Sequence, residues 1–273
     1  MTALKVAIVQ IEPEILRVTR NMEVVTKMLA SLSQDDGIHI LMLSEMVFTG
    51  YCFQDRAEIE PFAEVVSEGP TFAWCADHAR RLRCLVACGY VEKTADDRNL
   101  YNSMMVLSPD GDLVYNYRKT QLYDTDKSWA TPGSGFGSWH CPWLHTTLSF
   151  GICMDINPNN FEAPFDAYEF ASSIVQAKST LVLFSSAWND HNPMETDPTA
   201  MPTLQYWANR LKPVIDSLDD GNRNCYFICS NRTGIERGTS FVGGSCILSL
   251  REPRIIVSAS RFEQTLLVAT ISI

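Results

Sequence analysis

Three apolar runs with strand-forming composition each stop at one ionisable residue. Ile38-His39-Ile40-Leu41-Met42-Leu43 runs into Glu45, Leu113-Val114-Tyr115-Asn116-Tyr117 into Lys119, and Leu148-Ser149-Phe150-Gly151-Ile152 into Cys153. Runs of this kind are buried as strands of a sheet, and α/β proteins display their chemistry where such strands give way to loops. The spacing therefore predicts a sheet protein whose strand ends carry an acid, an amine and a thiol.

The intervening segments place helices between the early strands. Lys5 to Gln10 reads as a first buried strand, and after Pro13 the residues Leu16, Met22, Val25, Leu29 and Leu32 recur at helical spacing. Glu68-Gly69-Pro70 opens a second helix with Phe72, Ala76, Ala79 and Leu82 on one face. Strands follow at 84–91 and 100–108, and Pro109-Asp110-Gly111-Asp112 makes a hairpin turn toward Lys119. The stretch from Lys119 to Cys153 reads as a long loop with Trp129, Trp139 and Trp143. Beyond Cys153, a helix over 165–176 precedes a strand at 180–186 that runs into Trp188 and Asn189, and polar residues at such a strand end are expected to line the mouth of a site. Leu204, Trp207, Leu211, Ile215 and Leu218 form a helical stripe that Pro213 should break. Four closing strands are expected at 225–231, 243–250, 255–259 and 266–271. Strands that alternate with helices early and pair as hairpins late give an α/β chain, read as one domain over 1–273.

Composition narrows the function. Charged residues make up 20% of the 273 residues and hydrophobic ones 46%, which is a globular balance. The net charge of −10 lacks the clustered Lys and Arg that nucleic acid requires. No apolar run is long enough for a membrane span. Nine cysteines with no Cys-x-x-Cys and no apolar leader at the start point to a reducing compartment, cytoplasm or nucleus. The Cys84/Cys88 and Cys225/Cys229 pairs fall at i, i+4 on strands, where they share a face and suit packing. A zinc site would need four convergent ligands that the five scattered histidines do not help supply.

A lone cysteine is usually a small buried hydrophobe. Cys153 differs by its company, because Glu, Lys and Cys, each at a strand end and in that order, resemble the nitrilase superfamily of carbon–nitrogen hydrolases. Within it, Gly151-Ile152-Cys153-Met154-Asp155 with Asn157-Pro158 and Phe161-Glu162-Ala163-Pro164-Phe165 is similar to the fungal protein N-terminal amidases, and the likeness runs from Val6 to about Ile271. The resemblance implies a four-layer α-β-β-α sandwich. It also implies a thioester mechanism with Cys153 as nucleophile, Glu45 as proton carrier, and Lys119 with the backbone N–H of Met154 as oxyanion donors, using no metal and no cofactor. The implied substrates are proteins or peptides with N-terminal Asn or Gln, deamidated with release of ammonia and thereby fed into N-degron turnover.

The pattern departs from the superfamily in two places. Many members carry a second Glu between the Lys and the Cys; here 120–152 contains none, and Asp124 and Asp126 are the acids available. Small-acid amidases and carbamoylases commonly place an Arg after the Cys to hold a carboxylate, whereas Pro158 and asparagines stand here. A cationic α-amine would instead call for a carboxylate, with Asp124, Asp155 and Glu162 as candidates by nearness to the motifs. The competing readings are a small-molecule amidase or N-carbamoyl hydrolase of the same fold and a non-enzymatic interaction protein. Oligomeric state is not written in the sequence.

Overall fold

The computed structural model describes residues 2–95, 99–218 and 223–273. β1 (Ala3–Gln10) is followed by α1 (Val18–Met28) and β2 (Ile40–Met42), then by the short α2 (Arg56–Ile59) and β3 (Glu64–Val65). α3 (Pro70–Leu82) leads into a meander of β4 (Leu85–Lys93), β5 (Leu100–Leu107) and β6 (Leu113–Arg118). Gly69 and Pro70 start α3 as the sequence predicts, and Glu64 accepts from the Thr71 N–H at 3.0 Å and from its hydroxyl at 2.6 Å, satisfying that helix end.

The second half begins with α4 (Asp124–Lys127), β7 (Gly137–Cys141) and β8 (Thr146–Ile152), then α5 (Glu169–Ala177) and β9 (Leu181–Ser186). α6 (Met201–Arg210) and α7 (Lys212–Asp216) meet at Leu211, so Pro213 marks the restart of a broken helix, as expected. β10 (Tyr226–Asn231), the hairpin β11 (Thr233–Glu236) and β12 (Thr239–Val242), β13 (Cys246–Ser249), β14 (Arg254–Ser258) and β15 (Thr265–Ser272) close the chain. β7 corrects the reading of 119–153 as loop throughout: its alternating exposure is that of an edge strand paired with β8.

Two mixed sheets result. One has the order β15-β1-β2-β4-β5-β6, with β3 against β4, and the other the order β14-β13-β10-β9-β8-β7. In each, a central trio is parallel: β1, β2 and β4 in the first and β8, β9 and β10 in the second. The sheets face one another across Val6, Ile8, Leu148, Phe150, Leu183 and Ile228. Ala7, Val9, Val25, Ala79, Leu82, Cys84 and Cys88 join the outer face of the first sheet to α1 and α3. Val182, Phe184, Leu204, Trp207, Cys225 and Cys229 join the outer face of the second to α5, α6 and α7. The layers are therefore α-β-β-α, and the two cysteine pairs pack in apolar layers. All nine cysteines are free.

Candidate active site

Glu45, Lys119 and Cys153 follow the carboxyl ends of β2, β6 and β8, which is where ligands bind in parallel α/β sheets. Because β2 and β6 lie in one sheet and β8 in the other, the fold brings the three together only by stacking the sheets. Lys119 Nζ donates to Glu45 Oε1 at 2.7 Å and to Asp126 Oδ2 at 2.6 Å, with all three side chains fully buried. Asn102 Nδ2 donates to the same Glu45 oxygen at 2.7 Å and to Asp126 Oδ1 at 3.1 Å. The other Glu45 oxygen accepts the Ala187 N–H, just past β9, at 2.7 Å, so both sheets grip one carboxylate.

The choice left open between Asp124 and Asp126 is resolved by this geometry. Asp126 sits against the lysine, whereas Asp124 is exposed and pairs with Lys127. Asp126 Oδ2 also accepts the Tyr123 N–H at 3.0 Å.

Burial, the largest influence on Lys119, lowers its pKa, yet the facing Asp126 and Glu45 carboxylates outweigh it and hold the ammonium charged. Burial raises the Glu45 pKa above the usual carboxylate range of 4.5, with Lys119 opposing. Cys153 is also pushed up, first by burial and then by the charge of Glu45; Lys119, the Ser186 hydroxyl and the Ala187 N–H lean the other way without winning. The net direction therefore favours the thiol over the thiolate. A thiol beside an acceptor carboxylate and a fixed ammonium can attack an acyl carbon while it loses its proton.

Cys153 begins a 3-10 turn with φ of 42°, a left-handed backbone that few non-glycine residues adopt and that turns its side chain out of the strand line. Asp155 holds that turn. Its Oδ2 accepts from Tyr117 OH at 2.7 Å and from the Ile152 N–H at 2.8 Å, and its Oδ1 accepts from the Thr120 and Gln121 N–H groups at 3.0 and 2.8 Å. Its pKa is raised by burial to about 6. Asp155 therefore ties the lysine loop to the cysteine loop and has no oxygen left for an amine. The same correction covers Asp124 and Glu162, whose side chains are exposed and outside the pocket wall.

The pocket over Cys153 holds about 140 Å³ and is lined by Tyr123, Met154, Asn157, Phe161, Ala187, Trp188, Asn189 and His191. Trp188 and Asn189 stand where the strand end placed them, and Asn189 Nδ2 donates to Tyr123 OH at 3.2 Å. Met154 is beside the thiol as the motif requires. Sequence reasoning missed Asn102, Tyr123, Asn157, Phe161 and His191, along with Tyr51, whose ring lies 5.6 Å from Lys119 Nζ and whose buried hydroxyl has no partner among the described residues. Asn102 carried a signal, since a polar side chain in the apolar strand Leu100–Leu107 calls for a buried partner. Among the described residues no group of three or more His, Cys, Asp or Glu side chains could hold a metal ion.

Two helix-covered mixed sheets with an acid, an amine and a thiol at their joined carboxyl ends define a hydrolase fold of the nitrilase type. A model of the carbon–nitrogen hydrolase family matches residues 5–158. The protein N-terminal amidase of Schizosaccharomyces pombe is 32% identical over 272 residues, covering 93% of this chain and 94% of that protein. The protein N-terminal amidase of Saccharomyces cerevisiae is 32% identical over 212 residues, covering 69% of this chain and 45% of that one. The nitrilase of Pyrococcus abyssi is 29% identical over 273 residues, with 98% and 90% covered. The chain belongs to the carbon–nitrogen hydrolase family and is a hydrolase of carbon–nitrogen bonds. Its fold superposes on the crystal structure of an N-terminal amidase with a TM-score of 0.86 at 21% identity, covering 98% of this chain and 97% of that one. Against an N-terminal amidase crystallised with an Asn-Glu-Ala peptide the TM-score is 0.85 at 20% identity, over the same shares of the two chains.

Proposed function

We propose that this chain, acting as one domain over 1–273, deamidates N-terminal Asn and Gln of proteins or peptides to Asp and Glu with release of ammonia. The observation that carries the reading is the buried Glu45–Lys119–Asp126 cluster beside Cys153 at the base of a pocket of about 140 Å³, a size suited to a side-chain carboxamide. The 32% identity to a curated protein N-terminal amidase over nearly the whole chain supports it.

In this reading Cys153 Sγ attacks the carboxamide carbon as Glu45 takes the thiol proton. Lys119 Nζ and the Met154 N–H stabilise the oxyanion. Glu45 then hands the proton to departing ammonia and activates the water that opens the thioester, ending with a carboxylic acid and the free thiol. Asp126 and Asn102 act by holding Lys119 and Glu45 in register.

Among the described residues no carboxylate lines the catalytic pocket, so recognition of the α-amine passes from the expected Asp or Glu to the face of Trp188 and the side-chain oxygens around it. Among the described residues the pocket wall also contains no Arg or Lys to clamp a free carboxylate, which disfavours the small-acid amidase and N-carbamoyl hydrolase alternative. The reading carries with it a place in the cytoplasm or nucleus and no role for nucleic acid or membrane; no helix among the described residues is long and apolar enough to cross a membrane.

Ammonia release at equal concentrations of free Asn, an Asn-initiated dipeptide, its N-acetylated form and a carbamoyl amino acid tests the proposal. The unblocked dipeptide should be processed best and the acetylated one not at all. Preference for free Asn or the carbamoyl compound would replace this reading with the small-molecule amidase.

A further inference from the structure

Beside the catalytic pocket lies a second cavity of about 460 Å³, and the two share Asn157, Phe161, Trp188 and His191 as a common wall. That volume is within the range of ligand sites, and the cavity is the continuation of the catalytic one. Its far side is built by the segment 189–199 and by α6, through Glu195, Asp197 and Tyr206.

Arg261 holds that segment in place. Its side chain is buried; Nη2 donates to Asp190 Oδ2 at 2.6 Å and to the Asn192 carbonyl at 2.9 Å, and Nη1 donates to the Glu195 and Asp197 carbonyls at 3.3 and 3.2 Å. The Arg261 N–H adds a bond to the Pro198 carbonyl at 2.8 Å. One buried donor is left over: Arg261 Nε has no partner among the described residues.

The charge of this cavity is one-sided. Among the described residues three carboxylates, Asp190, Glu195 and Asp197, line it against one guanidinium, and Arg261 pairs with Asp190. Glu195 and Asp197 form no ion pair among the described residues; Glu195 accepts the Thr196 and Asp197 N–H groups, and Asp197 accepts the N–H and the hydroxyl of Thr199. The rings of Phe161, 60% exposed and shared with the catalytic pocket, and of Tyr206 line the same cavity. Rings followed by carboxylates accommodate a long side chain with an apolar stem and a cationic head.

We propose that this cavity is the subsite for the residues that follow the N-terminal Asn or Gln, and that it selects peptides with lysine or arginine at the second or third position over those with acidic residues there. The inference rests on the N-terminal amidase reading, since a small-molecule amide would not reach the cavity. The exposed carboxylates act through water, so the selection is one of degree and weakens with salt.

The test compares kcat/KM for ammonia release from Asn-Ala-Ala, Asn-Lys-Ala, Asn-Ala-Lys, Asn-Glu-Ala and Asn-Ala-Glu. At low salt, lysine at one or both positions should exceed glutamate at the same position by about fivefold, and the ratio should shrink at about 0.5 M NaCl, where the Debye length falls to a few ångströms. In Glu195→Gln/Asp197→Asn, whose amide oxygens still accept the backbone N–H groups, the ratio should fall toward one. Equal rates for lysine and glutamate peptides, or a preference for glutamate, would overturn the subsite while leaving the amidase intact. Absence of ammonia from all five, Asn-Ala-Ala included, would take down the amidase reading and the subsite with it.

Discussion

Lys119 has no freedom: its ammonium is fully buried and held at 2.6 and 2.7 Å by two carboxylates. Lys119→Arg keeps the charge, but a planar fork cannot put one donor where the compact ammonium sits, and the closed site has no room for the added atoms. In the proposed mechanism Lys119 is an oxyanion donor, whose loss lowers kcat by about 10²- to 10³-fold, and overpacking adds about 1 to 3 kcal/mol of instability. Single-turnover rates with an Asn peptide and a thermal melt measure the two effects; a rate within a few-fold of wild type would reduce Lys119 to a distant charge. The pH profile reports on Glu45. In the proposed mechanism Glu45 is the base and works only when ionised; burial shifts this carboxyl upward from 4.5, so activity should disappear as pH falls through a value above 4.5. A kcat/KM profile flat down to pH 4.5 would show that Glu45 does not carry the proton.

At the scale of elements, the position of Glu45 depends on a glycine in the neighbouring strand. A Cβ at Gly89 of β4 would stand 2.5 Å from the Ser44 carbonyl and 2.7 Å from Glu45 Cα, both backbone atoms that cannot step aside. Gly89→Ala should therefore displace the loop after β2 and cut turnover by more than tenfold, while the fold, judged by circular dichroism, persists. Turnover equal to wild type would show that the Glu45 loop can shift without loss. Sequence alone could place the three strand ends, because composition marks a strand and the residue after it. It could not rank Asp126 above Asp124, since one turn of α4 carries both and only the packing of Lys119 chooses. Nearness along the chain also misled at Asp155, which lies two residues past Cys153 but turns inward to bind three backbone N–H groups and a tyrosine hydroxyl. β7 was hidden for a related reason: an edge strand with one solvated face after a glycine-rich run has the composition of a loop.

On the scale of the whole molecule, the site exists only where the two sheets meet. Phe150 of β8 stacks on Tyr115 of β6 at 4.5 Å and is buried in the layer between the sheets. Phe150→Ala should cost about 3 to 5 kcal/mol. Because each sheet supplies part of the site, activity and tryptophan fluorescence should disappear in one coincident urea transition, shifted to lower urea in the variant. Activity lost well before fluorescence would show that the sheets part before they unfold.

The upward push that burial gives the Cys153 thiol bears on how the resting protein meets oxidants. Peroxide reacts with thiolates, and the first product, a sulfenic acid, would end turnover. A thiol shifted upward by burial offers peroxide less thiolate to attack, although it lines the catalytic pocket. Inactivation by hydrogen peroxide at neutral pH should then be slow and should accelerate as the pH is raised; rapid inactivation at pH 7 would mean that the sulfur rests as a thiolate. Such resistance would let the enzyme go on working during oxidative stress, when many exposed low-pKa cysteines are capped.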